Sequence, residues 1–176
     1  MARDELEARI RDLETRLRAV EDVQALHRLK ARYAQLLDAR FQRRGGLKPA
    51  AEVEALAHEA AGLFTEDAVW DGGPGLGVCE GRTAIARRLA HSTLSFAWHF
   101  FVKPEIEVDG DTASGSWDIL SPCTTAEGRA MWMAGVEHDT YVREGGVWLH
   151  RSMKLDLVFM APHDRGWARA KPDARG

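Results

Sequence analysis

Four long stretches rich in Val, Ile, Trp, Tyr and Phe occupy the second half of the sequence, and they restrict the possible folds more than any other feature. They cover residues 99–108, 112–125, 128–143 and 146–160. The short segments between them combine glycine with acidic residues, which is typical of hairpin turns. We therefore predict four long strands that form an antiparallel meander.

The first half of the sequence predicts helices. Apolar residues recur at every third or fourth position from Leu6 to Leu36, which is helical spacing. The narrow early stripe favours an extension over residues 1–20, which could bind another subunit, cover the domain or remain a solvated arm. Residues 21–41 have the wider stripe of a domain helix. Further along, the pattern predicts a helix over 53–64, a strand over 67–71, a turn over 72–77 and a helix from 81 to about 93.

Helices followed by long antiparallel strands are the element order of an α+β domain whose bent sheet wraps around three helices. The length of 176 residues fits one such domain. The net charge of −3 and the lack of a basic cluster argue against binding to nucleic acid. No apolar run approaches the ~20 residues that span a membrane.

The cysteines and the N-terminal segment give two more expectations. Cys79 and Cys123 are too few for a disulfide scaffold, and neither belongs to a zinc-binding motif. The first residues are charged where a secretory signal would be apolar, so we expect a cytoplasmic protein.

Three short segments, taken in this order, resemble the SnoaL-like group of the nuclear transport factor 2-like superfamily. They are residues 63–69, 80–85 and 139–148. The resemblance implies a cone-like fold over residues 21–165, preceded by the extension over 1–20 and followed by a C-terminal tail over 166–176.

Within that group, the sequence resembles the bile-acid 7α-dehydratase and scytalone-dehydratase type of enzyme. Tyr33 and Asp38 match a Tyr-x4-Asp motif on the first helix, and His99 stands five residues before a Pro-Glu-Ile sequence. The resemblance implies that His99 is a general base, that Asp38 orients it and that Tyr33 contacts the substrate. Ser121 and Asp156 stand where those enzymes carry an acidic residue and an arginine, so we do not expect a bile-acid thioester as substrate.

The residues themselves favour a pairing of Asp38 with His99. Each lies in an apolar stretch, and a buried carboxylate or imidazole is costly unless it has a partner. A carboxylate bonded to one imidazole nitrogen fixes the tautomer and leaves the other nitrogen as a base. Tyr33, which also continues the apolar stripe, could donate a hydrogen bond to a developing enolate or simply fill the core. This chemistry requires no metal and no organic cofactor.

Further residues are candidates for the wall of a substrate pocket. The aromatic candidates are Trp70, Trp98, Trp117 and Trp132, although core packing would explain each of them equally well. The polar candidates are Ser121, His138, Lys154 and Asp156, of which the last two could line either a cavity or a subunit interface. Glu137 and His138 lie on opposite faces of one strand, so one of the two should face the same space. Strict alternation along the last strand would place His150 on the same face as Lys154 and Asp156.

The sequence therefore predicts a cofactor-independent lyase, of the dehydratase type, for a small hydrophobic aromatic or polycyclic substrate. An isomerase or cyclase with the same base is one alternative, and a non-catalytic ligand-binding or assembly module is another. We expect a homodimer or homotrimer.

Overall fold

The computed structural model describes residues 3–43 and 45–164, which form three helices and seven strands. The helices are α1 (Arg3–Asp38), α2 (Ala50–Ala61) and α3 (Arg82–Ala90). The strands are β1 (Phe64–Asp71), β2 (Val78–Glu80), β3 (Leu94–Ala97), β4 (Phe100–Asp109), β5 (Thr112–Thr125), β6 (Ala130–Glu144) and β7 (Val147–Pro162). The predicted tail over 166–176 lies outside the described residues.

The seven strands form one strongly curled sheet that encloses the helices, which confirms the predicted cone-like α+β fold. The strand order is β2-β1-β7-β6-β5-β3, and β4 also pairs with β5. The predicted antiparallel meander is present from β4 to β7. The sheet is nevertheless mixed, because β1 pairs with β7 in the parallel direction.

The sequence patterns did not predict β2 and β3, because both strands are very short. β2 has three residues and β3 has four. The third helix ends at Ala90 rather than near residue 93, which leaves room for β3 before β4. As a result, His99 lies in the short link between β3 and β4 rather than inside a strand.

The predicted alternation along the last strand is wrong, because β7 carries a bulge. Tyr141 pairs with His150 and Thr140 pairs with Ser152, so Arg151 is an extra residue in the ladder. The bulge reverses the alternation and turns His150 to the same side as Met153. Both side chains are therefore buried.

The inner face of the sheet packs against the second half of α1 and against α2 and α3. The main core contains Tyr33 and Leu36 of α1, Ala57 of α2, Ile85 of α3 and Phe64 of β1. Burial on α1 begins at Asp22, whereas residues 3–21 are exposed. No helix in residues 3–43 or 45–164 is both long enough and apolar enough to cross a membrane.

Candidate active site

Asp38 and His99 are in direct contact. The Nδ1 atom of His99 lies 2.6 Å from Oδ1 of Asp38, and the backbone N–H of His99 donates to the same carboxylate oxygen over 3.1 Å. The two side chains are only 10% and 13% exposed, so water competes little for these bonds. An ionised carboxylate can only accept, so the bonded Nδ1 carries the ring proton and Nε2 is left as the basic nitrogen.

Two elements bring this pair together. Asp38 is the last residue of α1, and His99 follows the short strand β3. The buried guanidinium of Arg40 donates to the carbonyls of Leu37 and Leu89, which fixes the end of α1 against α3. The position of the carboxylate is therefore determined by helix packing as well as by its bonds to His99.

A cavity of about 260 Å³ adjoins the pair, and His99 forms part of its wall. Most of the lining is apolar and comes from α1, the β1–β2 turn and strands β5 to β7. Its apolar residues include Leu37, Leu76, Ile119, Met133, Met153, Leu155 and Met160. The polar groups are few, and the main ones are Tyr33, Asp71, His99, Ser121 and Glu137. Such a lining suits a small apolar ligand that is oriented by a few polar contacts.

Tyr33 and Trp70 meet at the cavity wall. The Trp70 indole N–H donates to the Tyr33 hydroxyl over 3.0 Å, so the hydroxyl proton of Tyr33 remains available to a ligand. Burial raises the pKa of Tyr33 far above its ordinary value, and nearby Glu137 adds to this effect. Tyr33 is therefore a neutral hydrogen-bond donor at physiological pH.

The side chain of Glu137 in β6 lines the cavity, and the ammonium group of Lys30 binds its carboxyl group. The Lys30 ammonium lies 2.5 Å from Glu137 and 2.7 Å from Asp139, and its side chain is 1% exposed. Burial disfavours the ammonium form, but the two carboxylates outweigh it and raise the pKa of Lys30. Burial raises the pKa of Glu137 although Lys30 acts in the opposite direction. The Lys30 ammonium thus binds two carboxyl groups, and of these two the Glu137 carboxyl faces the cavity.

This buried network continues away from the cavity into the core. The Tyr141 hydroxyl donates to Asp139 over 2.7 Å and accepts from the Trp117 indole N–H over 2.9 Å. Burial lowers the pKa of His150 to about 3, although Asp139 acts in the opposite direction. Neither ring nitrogen of His150 has a hydrogen-bond partner among the described residues.

The other predicted pocket residues divide into two groups. Trp70 and Ser121 line the cavity. Trp117 instead belongs to the core network, Trp98 is 48% exposed, and Trp132 stacks on His163. These three tryptophans lie outside the cavity wall, so their prediction as pocket residues was wrong.

His138, Lys154 and Asp156 also lie outside the cavity, on the outer face of the sheet. Their side chains are more than half exposed, and Asp156 lies 3.4 Å from His138 and 3.2 Å from Lys154. They project away from the helices because Glu137, Met153 and Leu155, their neighbours along the strands, point inward. The prediction that they line the cavity was therefore wrong, and the alternative that Lys154 and Asp156 contribute to a subunit interface stays a prediction.

The sequence interpretation missed Lys30 and Asp139. A lysine within a helix rich in charged residues looks solvated, yet Lys30 stands one position after the buried Leu29 and three before Tyr33. This position on the buried face was the available signal. Among the described residues, no three His, Cys, Asp or Glu side chains converge in a way that could hold a metal ion.

Several solved structures share this fold, and one of them is described as a nuclear transport factor 2-like (NTF2-like) protein. One is a hexachlorocyclohexane dehydrochlorinase, LinA type 2, which is 19% identical with a TM-score of 0.67, over 83% of this chain and 91% of that chain. Another, from Novosphingobium aromaticivorans and provisionally named a scytalone dehydratase, is 20% identical with a TM-score of 0.67, over 90% of this chain and 97% of that chain. A third, from the same species, is described as an NTF2-like protein with a cystatin-like fold and is 23% identical with a TM-score of 0.65, over 83% and 88% of the two chains.

Residues 53–154 match the SnoaL-like domain family, and this chain belongs to that family. Among curated proteins, none matches the sequence significantly. At these identities the solved structures establish the shared fold and no more.

Proposed function

We propose that the protein is a cofactor-independent lyase that eliminates water or a similar small leaving group from a small hydrophobic substrate. The observation that carries the proposal is the bond between Asp38 and Nδ1 of His99 beside an apolar cavity. A histidine that merely fills a core needs no such carboxylate and no adjoining space. Two similar structures bear names of elimination enzymes, a dehydrochlorinase and a dehydratase.

His99 is the proposed base. Its Nε2 atom removes a proton from a carbon of the substrate, and Asp38 stabilises the imidazolium that forms. A positioned base of this kind contributes ~10²–10⁴ to the rate. Tyr33 donates its hydroxyl hydrogen bond to an oxygen of the substrate on which negative charge develops.

Glu137 is the proposed acid. Burial raises the pKa of this carboxyl group against the opposing effect of Lys30, which makes its protonation easier, and the group faces the cavity together with His99. As the carbon–oxygen bond breaks, its electron pair moves to the oxygen, and Glu137 protonates that oxygen so that water leaves. Transfer of the abstracted proton from His99 to Glu137, directly or through water, restores both groups.

The cavity also limits the substrate. A volume of about 260 Å³ lies slightly below the roughly 300–1,000 Å³ of typical ligand pockets, which favours a molecule with one or two rings over a larger polycycle. The apolar lining favours a ring with few polar substituents. Those substituents would be placed toward Tyr33, His99 and Glu137.

An isomerase is the second candidate, and the presence of an acid beside the base is what favours it. If Glu137 returned a proton to a different carbon, a double bond would move and no group would leave. Detection of a mass loss separates elimination from isomerisation.

The test is a screen of small cyclic hydroxy-ketones and chlorinated rings, in which mass spectrometry detects loss of water or HCl. For any substrate found, His99→Ala should lower turnover by at least ~10²-fold while the circular dichroism spectrum stays unchanged. His138→Ala is the matched control, since this histidine is exposed on the outer face of the sheet. Wild-type turnover in the His99→Ala variant would refute the proposal.

A further inference from the structure

The first turns of α1 expose a continuous apolar stripe. Leu6, Ile10, Leu13, Leu17 and Val20 are between 46% and 57% exposed, although each belongs to the same regular helix. They are spaced by four, three, four and three residues. This spacing averages 3.5 residues and gives a narrow seam of the kind found in coiled coils.

The stripe assigns a heptad register to this part of α1. Ile10 and Leu17 occupy a positions, and Leu6, Leu13 and Val20 occupy d positions. The next a and d positions are the polar residues 24 and 27, so the seam ends where the helix enters the domain. Asp22, which forms a bidentate ion pair with Arg143, anchors the helix at this point.

The charges beside the seam follow the same register. The three e positions, which follow the d residues of the seam, carry Glu7, Glu14 and Glu21. The two g positions that lie between residues 6 and 20 carry Arg9 and Arg16. In a parallel coiled coil, a g residue faces the e residue of the next heptad on the other helix. Arg9 would then face the partner's Glu14, and Arg16 would face the partner's Glu21.

The same charges disfavour the antiparallel arrangement. That arrangement places g beside g and e beside e, so that arginine would meet arginine and glutamate would meet glutamate. The intrachain ion pair of Arg16 with Asp12, at 3.8 Å, is long and exposed, so it does not prevent Arg16 from binding a partner.

We propose that residues 6–20 form a parallel, two-stranded coiled coil with the same segment of a second copy of this chain. In the first heptad, Ile10 at a with Leu13 at d is the combination that favours two strands, whereas Leu17 at a with the β-branched Val20 at d in the second heptad favours more strands. The complementary e and g charges therefore carry the two-stranded assignment, and the mass of the assembly tests it. The seam spans little more than two heptads, but it belongs to a 36-residue helix that the domain already stabilises. Association therefore does not bear the cost of helix nucleation. Both domains lie at the same end of the coiled coil. This assignment is independent of the proposed chemistry.

Disulfide formation tests the parallel register. In a full-length Cys79→Ser, Cys123→Ser background, Ile10→Cys should form a disulfide-linked dimer on mild oxidation. Thr15→Cys, at the outward f position, is the matched control. We expect cross-linking at residue 10 to be at least ~10-fold faster, since association raises the local thiol concentration toward about millimolar. Equal rates at residues 10 and 15 would overturn the proposal. So would efficient cross-linking in a mixture of Leu6→Cys with Leu17→Cys but in neither variant alone, because an antiparallel pair places a d residue opposite an a residue.

Charge exchange provides a second test. Glu14→Lys with Glu21→Lys makes both flanks of the seam basic, and Arg9→Glu with Arg16→Glu makes both acidic. Each double variant also carries Ile10→Cys. Alone, each should cross-link more slowly than the Ile10→Cys protein with wild-type charges, and a mixture of the two should recover that rate. A rate that does not respond to these charges would refute the pairing. A mass of three chains for the cross-linkable assembly would refute the two-stranded form.

Discussion

The Asp38 carboxylate binds His99 at two points, the ring Nδ1 at 2.6 Å and the backbone N–H at 3.1 Å. This double contact fixes both the position of the imidazole and the nitrogen that carries its proton. In Asp38→Asn, the amide can accept the backbone bond but can also donate to Nδ1, which would leave the ring proton on Nε2. Turnover should fall by at least ~10²-fold without loss of the fold.

Nitrogen-15 NMR of the His99 ring supplies a readout that a purely structural role would not change. The wild type should carry the ring proton on Nδ1, and Asp38→Asn should shift the population toward protonation at Nε2. An unchanged tautomer together with unchanged turnover would show that Asp38 has no positioning role.

Glu137→Gln tests the proposed acid through the leaving group. A hydroxide leaving group needs a proton, whereas chloride leaves without one. The variant should therefore lower elimination of water by at least ~10²-fold and affect elimination of chloride much less. Paired hydroxy and chloro substrates on the same ring provide the control, measured as kcat for wild type and variant. An equal loss for both substrates would contradict a role in protonation.

The contact between Asp38 and His99 could be anticipated because both residues belong to local motifs. The helix and strand periodicities likewise located the three helices and the four long strands. Short strands carry too few residues to show a periodicity, which is why β2 and β3 escaped prediction.

The pocket wall was harder to predict, because it depends on which face of the sheet each residue occupies. The extra residue Arg151 reverses the alternation along β7, and no local signal in the sequence marks this bulge. Composition also says little about tryptophans, since Trp117 and Trp132 fit a core or a surface as well as a pocket.

The pairing of Lys30 with Glu137 spans 107 positions and arises only from the tertiary fold.

Lys30→Met should strongly destabilise the protein. It leaves Glu137 and Asp139 buried without their shared cation, and breaking a buried pair in this way costs about 3–5 kcal/mol. The triple variant Lys30→Met, Glu137→Gln, Asp139→Asn removes the ammonium and both carboxyl groups together and should recover much of that loss. Urea unfolding measures both effects. Arg32→Met is the control, because the ion pair of Arg32 with Glu59 is exposed and should contribute at most about 1 kcal/mol. A loss as small for Lys30→Met as for Arg32→Met would contradict this interpretation of the network.

The buried His150 should make stability depend on pH in mildly acidic solution. Burial lowers its pKa from 6.5 to about 3, so between these values the unfolded chain binds a proton that the folded chain does not. The stabilising effect of the neutral ring is complete above pH 6.5 and is lost as the pH falls toward 3. The free energy of unfolding should decrease by up to ~1.4 kcal/mol per pH unit from this group.

Comparison with His150→Phe isolates this contribution. The raised pKa of Glu137 acts in the opposite direction at acidic pH, and it is present in both proteins. Urea unfolding between pH 7 and pH 4 should therefore show a smaller loss of stability in the variant than in the wild type. His58→Gln removes an exposed histidine and serves as the control. Parallel curves for wild type and His150→Phe would show that folding does not lower the pKa of His150.

The turn after β1 explains why residue 72 is glycine. A Cβ atom at this position would approach the ring of Trp70 and would lie 2.5 Å from Cβ of Leu76. Gly72→Ala therefore has to displace Trp70, which carries the hydrogen bond to the Tyr33 hydroxyl. We expect a loss of about 1–3 kcal/mol in the free energy of unfolding, and weaker binding of any ligand that Tyr33 contacts.

Gly75→Ala is the matched control in the same turn. A Cβ atom at residue 75 has no neighbour within 4 Å, so this substitution should leave stability close to wild type. Tryptophan fluorescence and urea unfolding, measured on both variants, separate displacement of Trp70 from a general effect of replacing glycine in the turn. If the two variants were equally destabilised, conformational freedom of the turn would be the reason for its glycines. If Gly72→Ala alone is affected, the close approach to Trp70 is the reason, and the turn is part of what positions Tyr33 at the cavity.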